Sequence, residues 1–193
     1  KYIEERLEEF KTDYLSRDPR GRRAAVLVPI LQNGDSWELL FTRRSDLVND
    51  HKGQVSFPGG SVEVSDATIE QAALREAQEE IGLPAHSVHV LGRLLDYPSI
   101  SGYCISPIIG KIQYPFQLNL NKFEVSRVFT VPISWLANCD NFELKLYPRP
   151  DGTLERLYFY HEYKGELIWG ISAKITIQLM DRLDLLQGCE LQK

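Results

Sequence analysis

Arg75-Glu76-Ala77-Gln78-Glu79-Glu80-Ile81-Gly82-Leu83 gathers three carboxylates into five positions of one helix-forming run. Residues three and four apart on a helix share a face, so Glu76 lies beside both Glu79 and Glu80, and like charges so placed repel. Gly82 is suited to stop the helix in a left-handed turn. That puts Glu79 and Glu80 in the last turn, where the helix dipole disfavours acids by about 0.3–1 kcal/mol each. A helix built for stability alone would carry lysine there. A divalent cation is the simplest compensation for carboxylates clustered in this way. The helix is expected to start near Asp66, a good N-cap residue, and to end before Gly82 and Pro84.

At 100° per residue, Glu76 and Glu80 fall within about 40° of each other, on a face shared with Ile69, Ala72 and Ala73. Leu74, Ala77 and Ile81 gather on a different face and are expected to meet the core. The carboxylates should then point away from the main core, bedded on small alanines. Hard oxygen donors select Mg²⁺ or Mn²⁺ over zinc or copper, and such ions commonly bridge to substrate phosphates. Just upstream, Pro58-Gly59-Gly60 supplies a bend without β-carbons whose backbone can approach metal or phosphate closely. Arg43, Arg44 and Lys52 form the basic cluster next to this bend, and arginine holds phosphate bidentately.

Working outward, the chain reads as α+β. An apolar stripe at Ile3, Leu7, Phe10 and Tyr14 marks an N-terminal amphipathic helix within residues 1–20, covering the domain or meeting a second copy in a homodimer. A buried strand over Arg23 to Leu31 is followed by a hairpin turn at Asn33-Gly34-Asp35 and a second strand, Trp37 to Thr42, which delivers Arg43, Arg44 and Ser45. A short strand is expected over Gln54 to Phe57. After the acidic helix come strands near 88–95, 103–112, 124–131, 142–147 and 157–160, then a closing helix through Ile171, Ile175, Leu179, Leu183 and Leu186. The order is not the strict alternation of a doubly wound sheet.

A length of 193 residues with 43% hydrophobic content fits one domain over 1–193. A formal charge of −5 argues against a nucleic-acid partner. No run of about 18 apolar residues implies a membrane span, and the start is no signal peptide. Cys104, Cys139 and Cys189 are odd in number and widely spaced, without zinc-ligand spacing, which suggests a reducing compartment. The expected location is cytoplasmic, or organellar if upstream residues were trimmed. His51 and His86 read as ordinary loop residues, and Tyr158, Tyr160 and Tyr163 as core or rim.

From Gly60 through Asp66 to Leu83 the chain resembles the Nudix box, Gly-x5-Glu-x7-Arg-Glu-aliphatic-x-Glu-Glu-x-Gly-aliphatic, over a region of residues 59–83. Asp66 replaces the first Glu, eight residues instead of seven separate it from Arg75, and Ala77 stands where a larger aliphatic is usual. Leu40-Phe41-Thr42-Arg43-Arg44-Ser45 leading through Gly53 to Phe57-Pro58-Gly59-Gly60 is similar to the motif of the coenzyme A pyrophosphatase subfamily, Leu-Leu-Thr-x-Arg-Ser/Ala-x3-Arg-x3-Gly-x3-Phe-Pro-Gly-Gly. Phe41 stands for Leu, and Asn49 for the second Arg. Ser101-Gly102-Tyr103, Glu124-Val125 and Ile168 to Ala173 are similar to later segments of the same subfamily.

The resemblance implies an α/β/α sandwich around a mixed sheet. It implies Glu76, Glu79 and Glu80 as metal ligands with the Gly60 carbonyl, and Arg75 as an orienting residue. Arg43, Arg44, Ser45 and Gly59 would contact substrate, a small nucleoside diphosphate derivative. The reaction implied is metal-assisted attack of water on the diphosphate of coenzyme A or acyl-coenzyme A, with Mg²⁺ or Mn²⁺ as cofactor and a carboxylate accepting the proton. Glu124 is the first candidate for that carboxylate and Glu79 the second. Two other readings stay open: another nucleoside diphosphate derivative such as ADP-ribose, a dinucleotide or an oxidised nucleotide, and a silent nucleotide-binding domain.

Overall fold

The computed structural model describes residues 1–10, 22–47, 52–99, 102–113, 115–149 and 152–189. In chain order these form α1 (Tyr2–Glu8), β1 (Arg22–Asn33), β2 (Ser36–Arg44), β3 (Val55–Ser56), β4 (Gly59–Ser61), α2 (Ile69–Ile81), β5 (Val88–Arg93), β6 (Tyr97–Pro98), β7 (Tyr103–Ile112), β8 (Val125–Pro132), α3 (Ile133–Leu136), β9 (Phe142–Pro148), β10 (Leu154–Tyr160) and α4 (Gly170–Arg182). Strands β1 to β8 make one mixed sheet, β3-β2-β1-β7-β5, with β8 on β2, β4 on β1 and β6 on β7. Only β1 and β7 pair in parallel among the described strands, over Arg22↔Tyr103 to Leu31↔Ile112. That pair forms the buried spine, which is why β1 is apolar on both faces.

Alternation along β1 sends Val28 and Ile30 to one core and Ala25, Leu27 and Leu31 to the other. The first core is closed by α1, α3 and α4 residues such as Leu7, Ile133, Leu179 and Met180. The second is closed by Ala72, Ala73, Ala77 and Ile81 of α2. Helices therefore cover both faces of a mixed sheet, the α/β/α arrangement expected for an α+β chain. Leu7 is buried and Arg6 pairs with Asp184, so α1 covers the domain's own sheet over Tyr2–Glu8. The rest of the 1–20 segment, with Tyr14, lies outside the described residues.

Four expectations need correction. Helix α2 starts at Ile69, not near Asp66, because the Thr68 hydroxyl accepts the Gln71 N–H at 3.1 Å and caps the first turn. The buried face of α2 runs through Ala72, Ala73, Ala77, Glu80 and Ile81, while Leu74 is only half-buried. The carboxylate face is thus turned in toward the sheet, since the alanines let the helix approach β1 and β4 closely. Gly59 to Ser61 is a strand, registered Ala25↔Gly60 on β1, and not a loop. Finally, Cys139 and Cys189 form a disulfide with Cα atoms 5.5 Å apart, and only Cys104 is free. No helix among the described residues is long and apolar enough to cross a membrane.

Candidate active site

The site lies where α2 crosses the start of β4. Gly82 at φ 71° ends α2 by returning its N–H to the Gln78 carbonyl, with the Leu83 N–H on the Ala77 carbonyl, the left-handed stop expected. Beyond it, Asn119 and Asn121 donate their backbone N–H groups to the carbonyls of Ile81 and Glu80 at 3.0 and 2.9 Å. The orphan carbonyls of the last turn are thus satisfied by the loop that leads to Glu124.

Glu76 and Glu80 share the inner face and differ in partners. Glu80 is almost fully buried, and its Oε2 accepts the Gly59 N–H at 3.1 Å. Burial pushes its carboxyl up to about 8, opposed by the Gly59 hydrogen bond and the charge of Arg44, and reinforced by the charges of Glu76 and Glu124. Glu76 faces Gly60 so closely that a β-carbon there would stand 2.5 Å from its carboxylate. Burial raises Glu76 as well, against the pull of Arg75 and with the push of Glu79 and Glu124. Glu79 is more open and takes a hydrogen bond from Arg75 Nη1 at 3.2 Å.

Arg75 holds this arrangement from outside. Its Nε and Nη2 meet the two carboxylate oxygens of Asp66 at 3.1 Å each, Nη2 also donates to the Ser61 carbonyl at 3.0 Å, and Nη1 donates to Glu76 at 2.9 Å. Asp66 accepts the Glu63 N–H as well, and this bonding holds its carboxyl below the usual range. One guanidinium thereby fixes the loop after β4 to α2.

The upstream arginines separate. Arg44 lies near enough to Glu80 to favour its charged form, and its Nε is buried without a hydrogen-bond partner. Arg43 faces the other side of β2 and donates to Glu166 at 3.3 Å. Ser45 is buried; its N–H donates to the Glu124 carbonyl at 2.8 Å, and its hydroxyl accepts the Leu47 N–H at 3.2 Å. Lys52 is exposed, and Asn49 and His51 lie outside the described residues. Glu124 enters the same electrostatic neighbourhood as Glu76 and Glu80, with its Oε1 on the Asn121 side-chain amide at 2.7 Å.

Residues missed by sequence reasoning are Asn121, Thr68, Glu166 and Arg127. Thr68 carried a readable signal, since Gln71 follows it at capping-box spacing. Asn121 and Glu166 carried none, because their partners are distant or lie in irregular loops.

Two inner carboxylates, Glu76 and Glu80, raised by burial and by the neighbouring acidic charges, beside a glycine without a β-carbon and the more open Glu79, fit a hard divalent cation. Among the described residues no set of three His, Cys, Asp or Glu stands ready at metal-binding geometry, because Arg75 and the Gly59 amide hold the glutamates. Binding a cation would therefore require them to turn from these partners.

A family model for the NUDIX domain matches residues 21–149. A protein of Photorhabdus laumondii named uncharacterized Nudix hydrolase NudL is 40% identical over 164 residues, spanning 85% of this chain and 86% of its own. A NudL of the same description from Yersinia pestis is 37% identical over 164 residues, spanning 85% and 81%. Among solved structures, the Nudix hydrolase RenU of M. smegmatis matches with a TM-score of 0.51 and 25% identity, over 60% of this chain and 73% of that one.

Proposed function

Because the chain belongs to the Nudix hydrolase family, we propose that it hydrolyses the diphosphate of coenzyme A or acyl-coenzyme A to 4′-phosphopantetheine and adenosine 3′,5′-bisphosphate. The observation that carries a diphosphatase site is the pairing of two mutually repelling inner carboxylates, Glu76 and Glu80, with the unpartnered Nε of Arg44. The coenzyme A assignment is supported by the Leu40 to Gly60 segment, whose spacing is similar to that of the coenzyme A pyrophosphatases.

Glu76, Glu79 and Glu80, with the Gly60 backbone, would hold Mg²⁺ or Mn²⁺. When bound, such a cation neutralises charge on the diphosphate and lowers the pKa of water. Arg44 binds a phosphoryl group from the β2 end, where its guanidinium, whose Nε has no hydrogen-bond partner, gains charge-assisted hydrogen bonds. Gly59 and Gly60 allow the diphosphate close to the backbone. Glu124, fixed by the Asn121 amide, accepts the proton of the attacking water; Glu79, more exposed, is the second candidate. Water oxygen forms a bond to one phosphorus, the bridging P–O bond breaks, and the leaving phosphate keeps the bridging oxygen.

The test offers the purified protein, with Mg²⁺ or Mn²⁺, coenzyme A, acyl-coenzyme A, ADP-ribose, NADH and nucleoside triphosphates, with products identified by mass spectrometry. Preferred release of 4′-phosphopantetheine is the expected result. Turnover confined to the other diphosphates replaces the substrate, and no turnover of any overturns the reading.

A further inference from the structure

Arg43 and Arg127 are cross-strand partners in the β2–β8 ladder, separated by a register shift from its last pair, Arg44↔Val125. They lie on the α4 side of the sheet: two positions inward on the same strands, Phe41 and Phe129 stack at 5.7 Å against that core. Between the two arginines sits Glu166, whose side chain is 2% exposed. Its Oε2 accepts from Arg43 Nη1 at 3.3 Å and its Oε1 from Arg127 Nη1 at 3.1 Å. A tight turn delivers it. Tyr163 and Glu166 exchange backbone hydrogen bonds at 2.9 and 3.0 Å, with Lys164 at φ 51° and Gly165 at φ 81° between them. Lys164 in the left-handed region is a small backbone strain, tolerated where the surroundings fix it.

Stability alone gives little reason for this triad, since a buried ion pair is often no better than an apolar contact of the same volume. Its charges do not cancel either. One carboxylate faces two guanidiniums, each of which commits a single nitrogen to it while remaining 42% and 54% exposed. The result is a rigid pair of arginines with net positive charge and donors to spare. That matches the fork geometry and charge of a phosphate monoester dianion.

We propose that Arg43 and Arg127, held in place by Glu166, bind a phosphomonoester that the substrate carries beyond its scissile diphosphate. On the coenzyme A reading, on which this identification rests, that group is the 3′-phosphate of the adenosine. Arg43 reaches Glu166 while Arg44 lies near Glu80 on the other face of the sheet, so a ligand that reaches Arg44 with its diphosphate and Arg43 with a second phosphate lies across the end of β2. Glu166 is then a positioning residue that sets substrate specificity without touching substrate.

The experiment compares kcat/KM for coenzyme A and 3′-dephospho-coenzyme A, substrates that differ by this one phosphate. The wild-type protein should prefer coenzyme A at least about tenfold, the discrimination expected of a paired-arginine phosphate contact. Arg127→Ala should lower that ratio at least about tenfold, and Glu166→Gln should lower it in the same direction, with folding checked by thermal denaturation. A wild-type ratio near one, or a ratio unmoved in Arg127→Ala, overturns the proposal. If neither compound is turned over, the coenzyme A reading fails separately. Inhibition of whichever diphosphate is hydrolysed then decides: adenosine 3′,5′-bisphosphate binding more tightly than AMP, with the difference lost in Arg127→Ala, supports the paired-arginine seat. Equal inhibition by the two overturns it.

Discussion

The side-chain amide of Asn121 donates to Glu124 Oε1 at 2.7 Å, from a residue whose backbone N–H is tied to the last turn of α2. One loop residue thus fixes the proposed proton acceptor relative to the helix that carries Glu76, Glu79 and Glu80. If Glu124 accepts the proton, Glu124→Gln should lower kcat about a hundredfold or more, the usual scale of general-base catalysis. Asn121→Ala should lower kcat about tenfold with little change in KM. In the double variant the second substitution should cost almost nothing, because residues acting through one another are non-additive. Steady-state kinetics on the four proteins checks this, and fully additive losses would show that Asn121 acts elsewhere.

Gly59 and Gly60 are neighbours with opposite tolerances. The nearest atoms that a β-carbon on Gly60 would meet are those of the Glu76 carboxylate at 2.5 Å, the far end of a flexible side chain. A β-carbon on Gly59 would press on the Ala25 carbonyl and stand 2.6 Å from Val26 Cα, which are backbone and cannot yield. Gly60→Ala should therefore keep its melting temperature within a few degrees while raising the Mg²⁺ concentration needed for half-maximal activity. Gly59→Ala should lose about 1–3 kcal/mol of stability, as overpacked sites do. Thermal denaturation and metal titration of the two variants separate these outcomes.

The sequence showed most clearly what rests on local periodicity and turn chemistry. Gly34-Asp35 joins β1 and β2 as a two-residue turn, with Asn33 paired to Ser36, and β7 occupies the residues expected of it. It failed where tertiary contact decides. The helical wheel assigned α2 two faces, but it could not show that Ala72, Ala73 and Ala77 would bring the helix down onto β4 and carry Glu80 inside. Arg43 and Arg44 read as one basic cluster until strand alternation sent one to Glu166 and the other toward Glu80. Asp66, an irregular match to the motif, is the partner of Arg75 across the loop, a relation set by folding and not by spacing along the helix.

The disulfide between Cys139 and Cys189 closes a separation of 50 residues and ties the segment after α4 to the turn before β9. On loop entropy alone such a crosslink stabilises by up to about 4 kcal/mol. Reduction with dithiothreitol, or Cys139→Ser, should lower the melting temperature by several degrees with little change in KM, since Cys189 packs against the core on the α4 side while α2, which carries Glu76 and Glu80, covers the other core. An unchanged melting temperature after confirmed reduction would mean that packing of α4 alone holds this end.

Glu80 makes the stability of the metal-free protein depend on pH in a stated direction. Its carboxyl rises from 4.5 to about 8 on folding, chiefly through burial. At this site the folded state therefore holds a proton that the unfolded state releases, and the contribution of Glu80 to stability is greatest below the unfolded value and is lost as pH rises from about 4.5 through about 8. In the presence of a chelator, the melting temperature should drop across this range, and Glu80→Gln, which cannot ionise, should flatten that part of the profile. Saturating Mg²⁺ should oppose the fall, because a cation that binds only the folded, ionised site adds stability by mass action. Melting curves from pH 5 to 9 with chelator, with Mg²⁺ and for the Gln variant supply the comparison. A metal-free profile identical in Glu80→Gln would show that Glu80 is not the residue storing this proton.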